Sequence, residues 1–157
     1  MKIGKLAVTI FVVCLAAALS ACTNAPSREA MKEATVSYQL PQQPEAGKAL
    51  VYVVRPSGMG SLVRFNVFVD NQEDESEVGY TRGAQYIYFS VAPGPHQIYS
   101  KAENWADSAI NAKAGDIIYI KQEPSMGVRN SIFKIEEYEG KYYVKTLQLG
   151  TLAKTGK

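Results

Sequence analysis

From Lys48 onward the chain alternates: β-branched and aromatic residues interleave with polar ones, and glycine, proline and asparagine interrupt the pattern at short intervals. A period of two places one set of side chains on a buried face and the other toward water, as in a half-buried strand. The clearest stretch is Leu62–Asp70, with Val63, Phe65, Val67 and Val69 on one face and Arg64, Asn66 and Asp70 on the other. Gln85–Val91 repeats it, with Ile87, Phe89 and Val91 inward and Tyr86, Tyr88 and Ser90 outward. Shorter strands are predicted at Val78–Arg82, His96–Ala102, Ser108–Ala114 and Ile117–Glu123. Ala49–Arg55 is apolar on both faces through Leu50–Val54, which predicts a central strand. Ala92-Pro93-Gly94-Pro95 reads as a tight turn pairing Gln85–Val91 with His96–Ala102. Asn71–Glu77 reads as an acidic loop, and Glu139-Gly140 as the turn of a last hairpin between Asn130–Tyr138 and Tyr142–Leu149.

Many short strands with turn signals and no helical period predict an all-β domain. The expected architecture is an antiparallel β-sandwich of about eight strands, prealbumin-like or immunoglobulin-like. It spans residues 48–150, with 151–157 as a C-terminal tail. A domain of this size buries a core without disulfides.

The N-terminal pattern is different. Lys2 and Lys5 precede an apolar run, Leu6–Leu19. As a helix the run would be roughly 21 Å long, short of a hydrocarbon core of about 30 Å. It suits the apolar region of a secretory signal. Leu19-Ser20-Ala21-Cys22 resembles the lipobox of bacterial lipoproteins at all four positions. The resemblance implies a signal peptide over 1–21, cleavage between Ala21 and Cys22, and lipidation of Cys22. Acyl chains on one cysteine hold a chain to a bilayer, because each buried CH₂ contributes about 0.8 kcal/mol. Thr23 stands where an aspartate commonly retains Gram-negative lipoproteins in the inner membrane. The expected location is therefore the outer membrane, facing the periplasm. Residues 22–47, with Pro26, Pro41, Pro44 and Gly47, read as a flexible linker in which Ser27–Ala34 could form a helical turn or two.

Composition narrows the function. The chain carries 17 Lys+Arg and 15 Asp+Glu, and Lys2 and Lys5 account for the difference. A near-neutral mature chain argues against nucleic acid as a partner. With Cys14 in the signal and Cys22 capped, no thiol remains for a disulfide, a zinc site or a nucleophile.

Further along, V-Y-V-x-R-P-S at Val51–Ser57 is followed by V-F-V-D at Val67–Asp70 and V-G at Val78-Gly79. V-x-P-G-x-H at Val91–His96 and A-G-D-x-x-Y-I at Ala114–Ile120 complete the series. In this order the motifs resemble the small bacterial lipoproteins of the domain of unknown function family 2846. The resemblance covers Lys48 to about Gly150. It implies a β-sandwich and carries no catalytic residue.

The candidate chemistry is sparse. His96 is the single histidine, and a zinc site takes several such ligands. At a strand start it reads as a turn-stabilising residue. The carboxylates of 70–77 lack the order of an EF-hand loop. Glu136 and Glu137, adjacent on an expected strand, would point to opposite faces. The Gly58/Gly60 loop lacks the phosphate-loop pattern. No catalytic residue, metal ligand or cofactor is expected. Tyr86, Tyr88 and Tyr99 are placed on the outer face of neighbouring strands, with Trp105 in a loop nearby. Such rings suit contacts with a glycan or a protein. The expected function is a non-catalytic envelope module, held to the membrane by the lipid on Cys22 and binding an envelope protein or peptidoglycan. A lipid or small-ligand carrier is the alternative, and a hydrolase a more distant one.

Overall fold

The computed structural model describes residues 25–153. The signal peptide, Ala21 and Cys22 lie outside the described residues. Ten strands form two five-stranded sheets packed face to face. They are β1 (Ala49–Arg55), β2 (Phe65–Val69), β3 (Glu77–Thr81), β4 (Gln85–Val91), β5 (Gly94–Lys101), β6 (Trp105–Ala112), β7 (Ile117–Ser125), β8 (Arg129–Lys134), β9 (Gln148–Leu149) and β10 (Thr151–Leu152). The first sheet has the order β8-β7-β1-β4-β9 and the second β10-β3-β2-β5-β6. The all-β sandwich is thus present, and β1 is central as its two apolar faces require. Pairing is antiparallel except for β1 with β7 and β4 with β9.

Between the sheets lie Val51, Val53, Val67, Ile87, Ile98, Ile118 and Ile120, all at most 5 % exposed. One polar chain crosses this core: Thr81 donates to Gln122 Oε1 (2.5 Å), and Gln122 donates through Nε2 to Ser100 Oγ (2.8 Å). Every buried polar atom of that chain is thereby matched, as a low-dielectric core demands. Arg55 is fully buried without a carboxylate beside it. It donates to the carbonyls of Val63, Met59 and Gly60, and its guanidinium stacks 3.6 Å from the centroid of Phe65. Burial pulls its pKa down to about 10, so it remains charged at neutral pH.

Several expectations are corrected. The Pro93-Gly94 turn does not join a hairpin: β4 pairs with β1 and β9, whereas β5 pairs with β2 and β6. The chain changes sheets there, and alternation cannot reveal this because both sheets have the same inward face. Trp105 is not in a loop but opens β6, opposite Lys101. Of the expected last hairpin, the first arm is present as β8 but pairs with β7, and the rest is a helix, α2 (Glu137–Thr146), preceded in the chain by α1 (Arg28–Thr35). Tyrosines in 138–143 favour strands, and a central Gly140 disfavours a helix by about 1 kcal/mol. Packing overrides both. A Cβ on Gly140 would collide with the Tyr119 ring, so glycine lets α2 lie directly on the sheet. The expected flexible linker is likewise docked from residue 28. Ser27 caps α1 by accepting from the Ala30 N–H (3.2 Å), and Met31 and Thr35, one turn apart, are buried.

Candidate functional site

The two outer faces differ. On the first sheet, the outward side chains of β1, β4 and β7 form a tyrosine-rich layer covered by α1, α2 and the segment around Leu40. Tyr52 stacks on Tyr119 (5.7 Å between centroids, 13° between planes) and contacts Tyr86 and Tyr88. Its hydroxyl accepts from the Gln42 N–H and donates to the Gln42 carbonyl, both at 3.1 Å. Burial pushes its pKa up to about 12, and that of Tyr119 higher still. These phenols stay protonated at neutral pH and are not bases; that of Tyr52 is a hydrogen-bond donor.

Beside this layer is a cleft of about 410 Å³ lined by Ile117, Tyr119, Lys134, Ile135, Glu136 and Glu137. Glu136 and Glu137 do not point to opposite faces of a strand. They stand at the start of α2, and both line the cleft. The Tyr119 hydroxyl is buried without a hydrogen-bond partner.

Among the described residues, no helix covers the outer face of the second sheet. The register aligns Tyr80, Asn66, Lys101 and Trp105 straight across β3, β2, β5 and β6. The adjacent row is Glu77, Phe68, Tyr99 and Asp107. Val67 faces the core and Phe68, the next residue of β2, joins the outer row; the register shift between them places the extra residue, Val78, on β3. Trp105 packs against Phe68 (5.1 Å) and meets Tyr99 edge-on (6.4 Å, 89°). It is 37 % exposed, a large aromatic surface facing water. Gln97 donates to Asp107, and Asn66 to Glu77 (2.8 Å). Lys101 lies 5.2 Å from the Trp105 ring, and Arg64 and Arg82 lie 4.5 and 5.6 Å from the Tyr80 ring.

The four aromatic residues marked in the sequence therefore do not form one patch. Tyr86 and Tyr88 belong to the first sheet, and Tyr86 is buried under the helical cover. Tyr99 and Trp105 come together on the open face of the second. Alternation gave the outward direction of Tyr86, Tyr88 and Tyr99 but not their sheets, and it left Trp105 in a loop. Tyr80, Phe68, Arg64 and Arg82 were missed. Their only sequence signal is the outward parity of 64, 80 and 82, which means nothing until the register places those positions beside β5.

His96 stands at the other end of β5, with the inward parity of Ile98 and Ser100 and opposite the core residue Ile110. Its Nδ1 faces the Asp70 carboxylate (2.9 and 3.0 Å) and its Nε2 the Ala92 carbonyl (2.8 Å). With acceptors at both nitrogens, the imidazolium satisfies the site best. Burial lowers its pKa, but those two hydrogen bonds outweigh it and the net shift is upward. Among the described residues no three His, Cys, Asp or Glu side chains cluster as a metal site would require.

A two-sheet sandwich with one helix-covered and one open face defines the class of domain. The chain belongs to the family described as Protein of unknown function (DUF2846), whose model matches residues 45–135. The match takes in β1 to β8 and ends before α2. A protein of Haemophilus influenzae, described only as an uncharacterized protein, is 24% identical over 142 residues, covering 88% of this chain and 81% of its own. No solved structure matches.

Proposed function

We propose that this chain is a lipid-anchored, non-catalytic module of the bacterial envelope that binds the cell-wall glycan through the β5–β6 face. The anchor would be the lipid on Cys22, and the location the outer membrane facing the periplasm. The lipobox pattern Leu19–Cys22 behind an apolar run supports the anchor. The observation that carries the binding role is the half-exposed Trp105, braced by Phe68 and Tyr99 and flanked by amide and carboxylate side chains. A pyranose ring offers an apolar C–H face and a rim of hydroxyls. An aromatic ring with polar neighbours matches both.

A carrier role has less support: the space between the sheets is filled by apolar side chains such as Val51, Val53, Ile87, Ile98 and Ile120, and the cleft beside Tyr119 lies on the outer face of the first sheet. The test is co-sedimentation of the protein with purified peptidoglycan. The wild-type chain is expected in the pellet and Trp105→Ala in the supernatant, with unchanged thermal unfolding. If Trp105→Ala sediments like the wild type, this face is not the binding surface. Crosslinking to a protein, with no sedimentation, would replace the glycan by a protein partner.

A further inference from the structure

The proposed glycan surface does not end at Trp105. The row Tyr80–Asn66–Lys101–Trp105 runs straight across four neighbouring strands. With strands about 4.8 Å apart, its ends are roughly 14 Å from each other. One end is the apolar platform of Trp105, Tyr99 and Phe68. At the other, the guanidinium groups of Arg64 and Arg82 approach the Tyr80 ring. Lys101 stands between, over Trp105.

The charges on this face are unequally matched. Its two carboxylates are engaged locally, Glu77 by Asn66 and Asp107 by Gln97. Among the described residues, the ion pairs within 4 Å join Lys48 to Glu45, His96 to Asp70, Lys121 to Glu123 and Glu139, and Lys141 to Glu137. None involves Arg64, Arg82 or Lys101. Three cations thus remain without a carboxylate on a face whose other feature is a ring platform. The mature chain is neutral overall, so this excess is local and invisible in the composition.

We infer that the row binds a carboxylate-bearing glycan laid across the strands, with a sugar ring at Trp105 and a carboxylate one to three sugars away at Arg64 and Arg82. This rests on the glycan reading above and adds its chemistry and direction. The arginines suit the task because a planar guanidinium binds a carboxylate through two hydrogen bonds. Lys101 would serve as a mobile point charge between the two ends.

The experiment compares native peptidoglycan with peptidoglycan whose carboxyl groups have been amidated, using the full chain in a sedimentation assay. The wild type is expected to prefer the native polymer, and added salt to shrink that preference. Arg64→Ser with Arg82→Ser should lower affinity for the native polymer about tenfold or more, while leaving binding to the amidated polymer unchanged. Trp105→Ala should lose both. If the double arginine variant keeps the wild-type preference, the inference is overturned and the glycan reading stands. If the wild type binds neither polymer, the glycan reading itself fails.

Discussion

Arg55 sets the shape of the sandwich end where β1 leaves the sheet. Its guanidinium holds three carbonyls of the 59–63 loop and rests on Phe65, all inside the fold. Arg55→Ala leaves those carbonyls without a charged donor, and each such loss costs about 1–3 kcal/mol. Chemical denaturation should show a loss of at least about 3 kcal/mol. Arg55→Lys should recover only part of it, because one ammonium cannot reproduce the planar fork. Gly140 makes an opposite kind of demand. Helix propensity says that Gly140→Ala gains about 1 kcal/mol. The collision with the Tyr119 ring says that it loses more. A lowered unfolding midpoint is expected; a raised one would mean that α2 does not lie on Tyr119. His96 provides a pH signature. Its folded-state pKa is raised above 6.5, so its contribution is fully present below the unfolded value and is lost as pH rises through the folded one. The stability difference between wild type and His96→Gln should be full below pH 6.5 and shrink as pH rises through the folded-state value. A constant difference would contradict the Asp70–His96–Ala92 clamp.

At the scale of elements, the helical cover is where the sandwich is most dependent on residues beyond its strands. α1 and α2 shield Leu50, Tyr52, Val54 and Tyr119, all at most 2 % exposed. Met31 is the apolar anchor of α1, and Met31→Ala should cost about 2–5 kcal/mol in the same denaturation assay. No measurable loss would mean that α1 is undocked in solution. The strands of this fold were largely legible, because β1, β2, β4 and β7 alternate or run apolar according to how many faces they bury. Of the helices, α1 was legible only as a turn or two at Ser27–Ala34, without its docking, and α2 was read as a strand. The apolar residues of α1 are few, and α2 has strand-favouring tyrosines around a glycine. Only contact with the sheet explains either. Pairing was equally hidden: five of the strand connections change sheets, and a turn motif such as Pro93-Gly94 looks the same whether or not the chain returns to the same sheet. The candidate site suffered from this directly. Tyr99 was recognisable as an outward aromatic and Trp105 as a neighbouring one, but their partners Phe68, Tyr80, Arg64 and Arg82 lie 17 to 41 residues away and meet them only through the register.

As a whole, the molecule divides its labour between two faces. The helix-covered face packs the two helices on the first sheet through a tyrosine-rich layer. The open face presents rings and uncompensated cations to water. An N-terminal anchor would leave that face free, since α1 packs on the other side of the sandwich. Trp105 is the single tryptophan of the chain, so intrinsic fluorescence reads the proposed site without a label. The most direct measurement is a titration of that fluorescence with soluble peptidoglycan fragments. A saturable change in emission, abolished by Tyr99→Ala and retained in Tyr88→Ala on the opposite sheet, is the predicted result. Emission that stays unchanged at fragment concentrations where the protein sediments with the polymer would contradict it, because the glycan would then be held somewhere other than Trp105.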